Sequence, residues 1–314
     1  MHCNDSFAPH RCVLWGVIPV TVNGPVIYTD LDGTLLDHDT YALGDAGPVL
    51  AGLLARGIPV IPCTSKTHAE VVVLCRELGI DGPFVVENGA AIWVPEDWGL
   101  TRPRGSASAS RYWCQVLGKS RGFIRGLLSG LGDEWANRFH ALSDMSLREV
   151  QAVTGLDALS SRRAQARHFS ETLLWLGSAS DRHHFANALS PLGLRVVQGG
   201  RFLHVLAGGG KGAALQWLHE KIRQEICPAA ISIAAGDANN DLELLEAADR
   251  ALIVRSPVHE PPVPNRQNHL YTSTGEGPEG WAEGIQKIID QLDEENRYGR
   301  LLPERNYYYA AQSG

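Results

Sequence analysis

Two carboxylates set two positions apart, Asp30 and Asp32, follow the run Val26-Ile27-Tyr28-Thr29 and precede Gly33-Thr34-Leu35-Leu36. Apolar and β-branched residues that end abruptly in acids read as a buried parallel strand delivering its chemistry at its carboxyl end. Open α/β sheets hold their ligands there. A carboxylate is ionised at neutral pH without an activating base, so Asp30 can attack phosphorus and form an aspartyl-phosphate intermediate. Asp32 can lie beside the leaving-group oxygen, first as general acid and then as general base for the hydrolytic water. Gly33 permits the tight turn, and Thr34 can tie that turn down with its hydroxyl. An acid-rich turn after an ordinary strand is the plainer account of this stretch alone. Three later stretches weigh against it.

A second apolar run, Ile58 to Cys63, ends in Thr64-Ser65-Lys66-Thr67. A hydroxyl at the carboxyl end of a neighbouring strand can donate to a phosphoryl oxygen, although Ser and Thr also cap helices, and Thr67 to Leu78 reads as one. A third strand, Pro83 to Val86, leads into Glu87-Asn88-Gly89. Asn88 there either meets a ligand or makes an Asn-Gly turn. Gly208-Gly209-Gly210-Lys211-Gly212 opens a helix over Ala213 to Ile226. Its lysine is followed by Gly where a P-loop has Ser or Thr. It reads instead as a lysine presented at a helix start, neutralising charge that builds on a transferring phosphoryl group. Ile231 to Ala235 then ends in Gly236-Asp237-Ala238-Asn239-Asn240-Asp241, two acids four positions apart. Such a pair suits a hard divalent cation, because magnesium takes one or two carboxylates together with substrate phosphate oxygen. Asp241 can alternatively cap the helix Leu242 to Ala248.

The elements that must position these residues are legible from periodicity. Tyr41 to Arg56 carries apolar residues at near-helical spacing and stops at Gly57, returning the chain to the second strand. After Trp98 the composition shifts, and residues 100–112, rich in Ser, Arg, Gly and Pro, read as a linker or mobile loop. Helices over Arg121 to Leu131, Ser146 to Thr154, Leu159 to Arg167 and Ser180 to Leu189, with strands at Thr172 to Leu176, Arg195 to Val197 and Phe202 to Leu206, follow. This middle third has its own α+β pattern and reads as an inserted cap domain. The last strand predicted is Arg250 to Val254, followed by a Pro-rich loop and a closing helix over Glu279 to Leu292. The resulting parse is an N-terminal extension (1–24), core (25–98), cap (99–206), core again (207–292) and a tail (293–314).

The 314-residue chain is 44% apolar and carries a formal net charge of −7 without a long basic run. That balance argues against nucleic acid or an anionic membrane as main partner, but not against a small anionic substrate met by a local positive site. Six cysteines without a C-x-x-C pair suit a reducing compartment, and the expectation is a cytoplasmic protein. Cys12 to Val20 matches a signal-peptide core in length but lacks a basic start. His2, Cys3, His10 and Cys12 match no common zinc spacing, and Tyr307-Tyr308-Tyr309 lies in a tail with no readable role.

In their order, Asp30-Leu31-Asp32-Gly33-Thr34, Thr64, Lys211 and Gly236-Asp237 with Asp241 resemble the motifs of the haloacid-dehalogenase-like phosphatases. The long insert resembles the type IIB cap of that superfamily. Thr64-Ser65-Lys66-Thr67, Glu87-Asn88-Gly89, Arg167-His168-Phe169-Ser170-Glu171, Gly199 to His204 and Gly280-Trp281 look like the mannosyl-3-phosphoglycerate phosphatases within it. The likeness covers about residues 25 to 290. This chain departs from the family pattern in having Ala238 before Asn239 in the acid loop and Gly210 before Lys211.

The resemblance implies an α/β fold, with a Rossmann-like parallel-sheet core and an inserted α+β cap of type IIB. It implies a phosphoric monoester hydrolase that converts 2-O-mannosyl-3-phosphoglycerate to mannosylglycerate, a compatible solute, and phosphate. Mg2+ would be held by Asp30, the backbone carbonyl of Asp32, Asp237 and Asp241, while Asp30, Asp32, Thr64 and Lys211 carry the chemistry. Substrate contacts would come from Thr34, Ser65, Lys66, Asn88 and Asn240 on the core, and from Arg167, Ser170, Glu171, Arg201 and His204 on the cap. Arg167 can alternatively pair with Glu171, and His204 can be a satisfied core residue. A phosphatase for glucosyl-3-phosphoglycerate, sucrose phosphate or a mannose phosphate shares the same core. A phosphotransferase or mutase, or a binding module without turnover, are the remaining readings.

Overall fold

β1, Pro25–Thr29, is buried at every residue after its first, as expected of a strand covered on both faces. The computed structural model describes residues 24–301 except 136, 200 and 259. The N-terminal extension with its His and Cys residues, and the tyrosines of the tail, lie outside the described residues.

After β1 the core adds α1 (Ala46–Ala55), β2 (Val60–Pro62), α2 (His68–Leu78), β3 (Phe84–Val86), β4 (Ala91–Pro95), β5 (Ala107–Ala109) and β6 (Tyr112–Val116). The middle third contributes α3 (Arg121–Ser129), β7 (Phe139–Ala141), α4 (Leu147–Thr154), α5 (Ala158–Gln165), β8 (Ser170–Trp175), α6 (Ala179–Leu189), β9 (Arg195–Gly199) and β10 (Phe202–Leu206). The chain then completes the core with α7 (Lys211–Glu225), β11 (Ile231–Gly236), α8 (Leu242–Ala247), β12 (Arg250–Arg255), β13 (Leu270–Glu276) and α9 (Gly277–Leu301).

The central sheet is parallel throughout, in the order β13-β12-β11-β1-β2. This is the Rossmann-like core the motifs imply. α1, α2 and α9 cover one face around Ile27, Leu50, Val71, Trp281 and Ile285, and α7 and α8 cover the other around Tyr28, Leu218 and Leu244. β1 lies between β11 and β2, with Thr29 paired to Ala235 and to Pro62. Three loops bearing acids or hydroxyls therefore leave the same sheet edge side by side. Trp281 of α9 pins this edge from below, its indole Nε1 donating to Thr29 Oγ1 at 3.0 Å.

Besides the unpredicted strands β4 and β7, two segments differ from the sequence reading. The stretch 100–112 is no simple linker: it contains β5, and with β6 it extends β3 and β4 into an antiparallel sheet in the order β3-β4-β6-β5. Thr64 N donates to Val85 O at 3.0 Å and joins this sheet to the end of β2. Tyr112, Trp113 and Cys114 are buried in the two core clusters, so by packing the cap begins after Gly118, later than residue 99. There Lys119 N donates to Ala207 O at 2.8 Å, bringing the two connecting segments together. The second difference is β13, a strand beyond Arg250–Arg255 that the pattern Leu-Tyr-Thr-Ser-Thr conceals. As an edge strand with Thr272, Thr274 and Glu276 exposed to water, it carries hydroxyls where a central strand carries Val and Ile.

The cap sheet is antiparallel, in the order β7-β8-β10-β9, with α3 and α6 on one face. Strand alternation assigns its residues. Leu173, Leu203 and Val205 enter the cap's apolar core with Ile124, Phe185 and Leu189, so Ser170, Thr172 and His204 face the other way, towards the central sheet. No helix among the described residues is long and apolar enough to cross a membrane.

Candidate active site

Asp30 leaves β1, Asp237 and Asp241 leave β11, and Lys211 opens α7. Their charged atoms converge. Lys211 Nζ donates to Asp30 Oδ1 at 2.7 Å and to Asp241 Oδ1 at 2.6 Å. Oxygens of Asp30, Asp237 and Asp241 lie within 4.8 Å of one another, and all three residues are buried. The second oxygen of Asp241 accepts from the backbone N–H groups of Asp237 and Ala238, both at 3.2 Å. That bond folds the acid loop back on itself. Gly33 is required by the close approach of the two acid loops: its φ is +80°, and a Cβ there would sit 2.8 Å from Asp237 Oδ2.

Three buried carboxylates share one buried ammonium. Burial, reinforced by Asp241 and Asp32 and opposed by Lys211, pushes the Asp30 carboxyl up to about 7. Burial and then the Asp30 charge push Asp237 up to about 7 as well, and burial likewise raises Asp241. Lys211 moves the other way to what burial alone would do, since Asp241 and Asp30 hold its ammonium above the ordinary lysine value. Lys211 is therefore charged, and the surplus negative charge on its partners is the feature that a divalent cation relieves. An all-oxygen set of carboxylates fits a hard cation such as Mg2+.

Asp32 turns away from this cluster. Its Oδ2 pairs with Lys66 Nζ at 2.8 Å, while Oδ1 is buried without a partner in the protein. Lys66 also stands 5.0 Å over the ring of Tyr41. Thr64 is buried, and its Oγ1 accepts from Lys66 N at 3.2 Å, which leaves its O–H as a donor. Asn88 is buried with neither side-chain atom hydrogen-bonded. A buried amide without partners costs free energy unless a ligand supplies them. Asn240 is half-buried in the acid loop.

Several residues expected to meet substrate do other work. Thr34 is fully buried and donates to Asp237 Oδ1 at 3.0 Å, so it orients a carboxylate of the acid cluster. The Ser65 carbonyl accepts from Arg167 Nη1 at 3.0 Å, and Ser170 Oγ accepts from the same Nη1 at 3.0 Å. Ser170 in turn donates to Glu87 Oε2 at 2.5 Å, which commits its hydroxyl to the protein. Glu171 shares the face of Leu173 and Val205, on the side of the cap away from the cleft. There it accepts from Ser143 Oγ at 2.7 Å and approaches Arg125 Nη1 at 3.6 Å. Arg201 is exposed and donates to the Thr154 carbonyl at 3.0 Å. None of the contacts named for Glu171 or Arg201 reaches the acid cluster.

Arg167 and His204 remain on the cleft side. Arg167 is buried and its Nε has no partner. It does not pair with Glu171. His204 shares a hydrogen bond with Thr172 Oγ1 at 3.1 Å, and a Cβ on Gly199 would lie 2.9 Å from its Nε2. Burial, then Arg167 and Lys211, hold its imidazole well below the ordinary histidine value, so it is neutral. Arg195, on the same cap face, pairs with Glu243 of α8 and marks that face as the one turned to the core. Thr172 and Glu87 are residues to which the sequence reading gave no role, although Glu87 stood in one of the motifs it quoted. Thr172 was recoverable from its two-residue spacing to Ser170, and Glu87 from its place between an apolar strand and Asn-Gly.

With this geometry in hand, comparisons with known proteins identify the class. Residues 27–106 match the haloacid dehalogenase-like hydrolase family, and residues 190–288 match the sucrose-6F-phosphate phosphohydrolase family. The chain belongs to the haloacid-dehalogenase-like hydrolases. Over 266 residues, 84% of this chain and 97% of the relative, it is 34% identical to a glucosyl-3-phosphoglycerate/mannosyl-3-phosphoglycerate phosphatase of Methanococcoides burtonii. Its fold is that of Thermoplasma acidophilum 0175, at a TM-score of 0.59 and 18% identity, covering 86% of this chain and 98% of the other. It is also that of the sucrose-phosphatase of Synechocystis sp. PCC6803, whose structure holds sucrose and phosphate, at a TM-score of 0.55 and 14% identity over 88% and 99% of the two chains.

Proposed function

We propose that this protein is a Mg2+-dependent phosphatase that hydrolyses 2-O-mannosyl-3-phosphoglycerate to mannosylglycerate and phosphate. The observation that carries the reaction is the buried set of Asp30, Asp237 and Asp241 gathered on Lys211 at the carboxyl edge of the sheet. Asp30 attacks phosphorus in line, and the bond from phosphorus to the glycerate oxygen breaks as Asp32 delivers a proton to that oxygen. Asp32 then takes a proton from water, whose oxygen attacks the aspartyl-phosphate and releases phosphate with Asp30 restored. Thr64 and Lys211 face the phosphoryl oxygens, where a preorganised donor is worth about 3 to 4 kcal/mol in the transition state. Asp30, Asp237, Asp241 and the Asp32 carbonyl would hold the cation, which when bound offsets the charge of the phosphoryl group and its acceptor.

The substrate reading is supported by the relative at 34% identity and by the cleft wall. Asn88 and Arg167 Nε are buried donors without partners, suited to a glycerate carboxylate, and His204 with Thr172 offers neutral hydrogen-bonding groups suited to sugar hydroxyls. Residues 119–206 act as the cap over this cleft. The name of the same relative favours a second substrate, glucosyl-3-phosphoglycerate. The unpaired thiols of Cys63, Cys75, Cys114 and Cys227 support placement in the cytoplasm.

Phosphate release tests this, with Mg2+ and with chelator, from mannosyl- and glucosyl-3-phosphoglycerate, sucrose 6-phosphate, mannose phosphates and 3-phosphoglycerate. The expected result is the highest kcat/KM on the mannosyl compound and no release with chelator. Preference for a phosphate ester without a carboxylate would overturn the substrate reading, and release in chelator would overturn the cation.

A further inference from the structure

Glu87 is a carboxylate that the proposed reaction does not use, yet it is among the most heavily engaged in the molecule. It is 1% exposed and has no ion-pair partner within 4 Å among the described residues. Its three donors all come from the turn that enters β8 in the cap and from the first residue of that strand. His168 N donates to Oε1 at 2.9 Å, Phe169 N to Oε2 at 3.1 Å, and Ser170 Oγ to Oε2 at 2.5 Å. The backbone of the same turn is tied to the core loop that carries Thr64. Glu87 N donates to Lys66 O, and Asn88 N to Thr64 O, both at 2.9 Å. Arg167 closes the ring by bridging Ser65 O and Ser170 Oγ.

The backbone here is held where side chains are disfavoured. Glu87 and Asn88 have φ of +49° and +55°, and Gly89 follows at +88°. Consecutive non-glycine residues in the left-handed region cost free energy and persist only where their surroundings enforce them. What this conformation achieves is a split of two neighbouring side chains: Glu87 binds the cap, and Asn88 is left buried and unpartnered beside Thr64. A glutamate that served only to terminate a strand would need neither the strain nor a donor set drawn wholly from the other domain.

We infer that Glu87 is a positioning residue, the latch that seats the cap on the core and thereby sets Arg167 and Asn88 around the leaving group. The inference rests on the phosphatase reading above. It divides the labour between this turn and the acid cluster: Glu87 decides how well a large leaving group is held, and the acid cluster decides how fast phosphorus is attacked. The Glu87→Gln variant keeps the shape of the side chain but replaces one acceptor oxygen with an NH2 group.

The test compares wild type with Glu87→Gln in three measurements on the full chain: amide hydrogen exchange, p-nitrophenyl phosphate hydrolysis, and hydrolysis of the best sugar phosphate in the panel. The expected result is faster exchange at His168 and Phe169 by about tenfold or more, because charge-assisted acceptors are lost. KM for the sugar phosphate should rise by about tenfold while kcat on p-nitrophenyl phosphate stays within about twofold. Unchanged exchange at those two amides overturns the latch. So does an equal loss of activity on both substrates, the signature of a merely structural glutamate. If Glu87→Gln does not fold, Ser170→Ala removes one of the three donors, and the same split between the substrates decides. If wild type hydrolyses no sugar phosphate, the substrate reading has failed, and exchange with p-nitrophenyl phosphate turnover still judges the latch.

Discussion

The floor and the wall of the cleft are built on opposite principles. On the floor, three carboxylates from two loops of a parallel sheet gather with Lys211 of the α7 start in a buried cluster, and Lys211 serves two carboxylates at once. On the wall, an antiparallel sheet presents Thr172 and His204, a neutral pair, beside the buried Arg167 of the α5–β8 connection, whose Nε is unpartnered. The floor is complete except for positive charge. The wall is complete except for hydrogen-bond partners. Chemistry is therefore preorganised in the part of the fold that cannot slip, while recognition sits on a sheet whose pleat decides which residues face the substrate.

The largest break in this comparison is Asp30→Asn. Phosphate release should fall by about 10⁴-fold or more, as expected for loss of a nucleophile. The metal-free protein should melt no lower than wild type, because the substitution removes a carboxylate that burial penalises. Activity within tenfold of wild type, measured with saturating Mg2+, would exclude Asp30 as nucleophile. Lys211→Ala comes next, with kcat lower by about 10² to 10³. Here the fold should suffer as well: removing the 1% exposed ammonium strands two buried carboxylates, a change of the kind that costs about 3 to 5 kcal/mol. Thermal melting without added metal checks it.

The floor can also be broken by protons. Burial raises Asp30 and Asp237 to about 7 from an ordinary 3.8. Between those values the native metal-free protein keeps protons that the unfolded chain has released, so its stability should fall as pH rises from about 4 through 7 and then level off. Cation binding requires the ionised acids, so the gain in melting temperature on adding Mg2+ should grow over the same range. A metal-free melting temperature that rises across this window would contradict the raised values.

Floor and wall also differ in how far their residues could be read from sequence. Asp30 and Asp237 stand at the ends of apolar runs, and one-dimensional order suffices to bring them together, because parallel strands carry their loops to one edge. The cap residues were named as neighbours in short motifs, and in a strand neighbours point apart. Ser170 and Glu171 are adjacent in sequence, yet one latches onto Glu87 across the cleft edge and the other turns to Ser143 and Arg125 behind the sheet. Thr34 looked like a substrate contact because it follows the two acids, but its hydroxyl is already donated to Asp237. β5 and β13 were hidden for a related reason, since exposed or edge strands lack the continuous apolar run that betrays a buried one.

Arg167→Lys sharpens the contrast from the side of the wall. Lysine keeps the charge and can still reach Ser65 O, but it lacks the fork and the unpartnered Nε. KM for the preferred sugar phosphate should rise by about ten- to hundredfold, the worth of one hydrogen bond to a charged group. The loss on p-nitrophenyl phosphate should be smaller. Equal losses on the two substrates, in a variant that melts like wild type, would remove Arg167 from recognition.

The smallest effect should come from Arg201→Ala, and its smallness is informative. Arg201 stands in a stretch that resembles a substrate-binding motif, three residues before His204, so sequence alone groups the two. In the structure His204 is buried beside Thr172, whereas Arg201 is exposed on the turn between β9 and β10 and caps the last carbonyl of α4. An exposed guanidinium on a helix end stabilises by a few tenths of a kcal/mol to about 1 kcal/mol, which predicts a slight fall in melting temperature and kcat/KM within about twofold of wild type. His204→Ala, measured beside it on the same sugar phosphate, should cost at least about tenfold in KM, since it removes a buried polar group from the cleft face. If Arg201→Ala proves the more damaging of the two, the β9–β10 turn reaches the substrate during turnover, and the wall must be redrawn to include it.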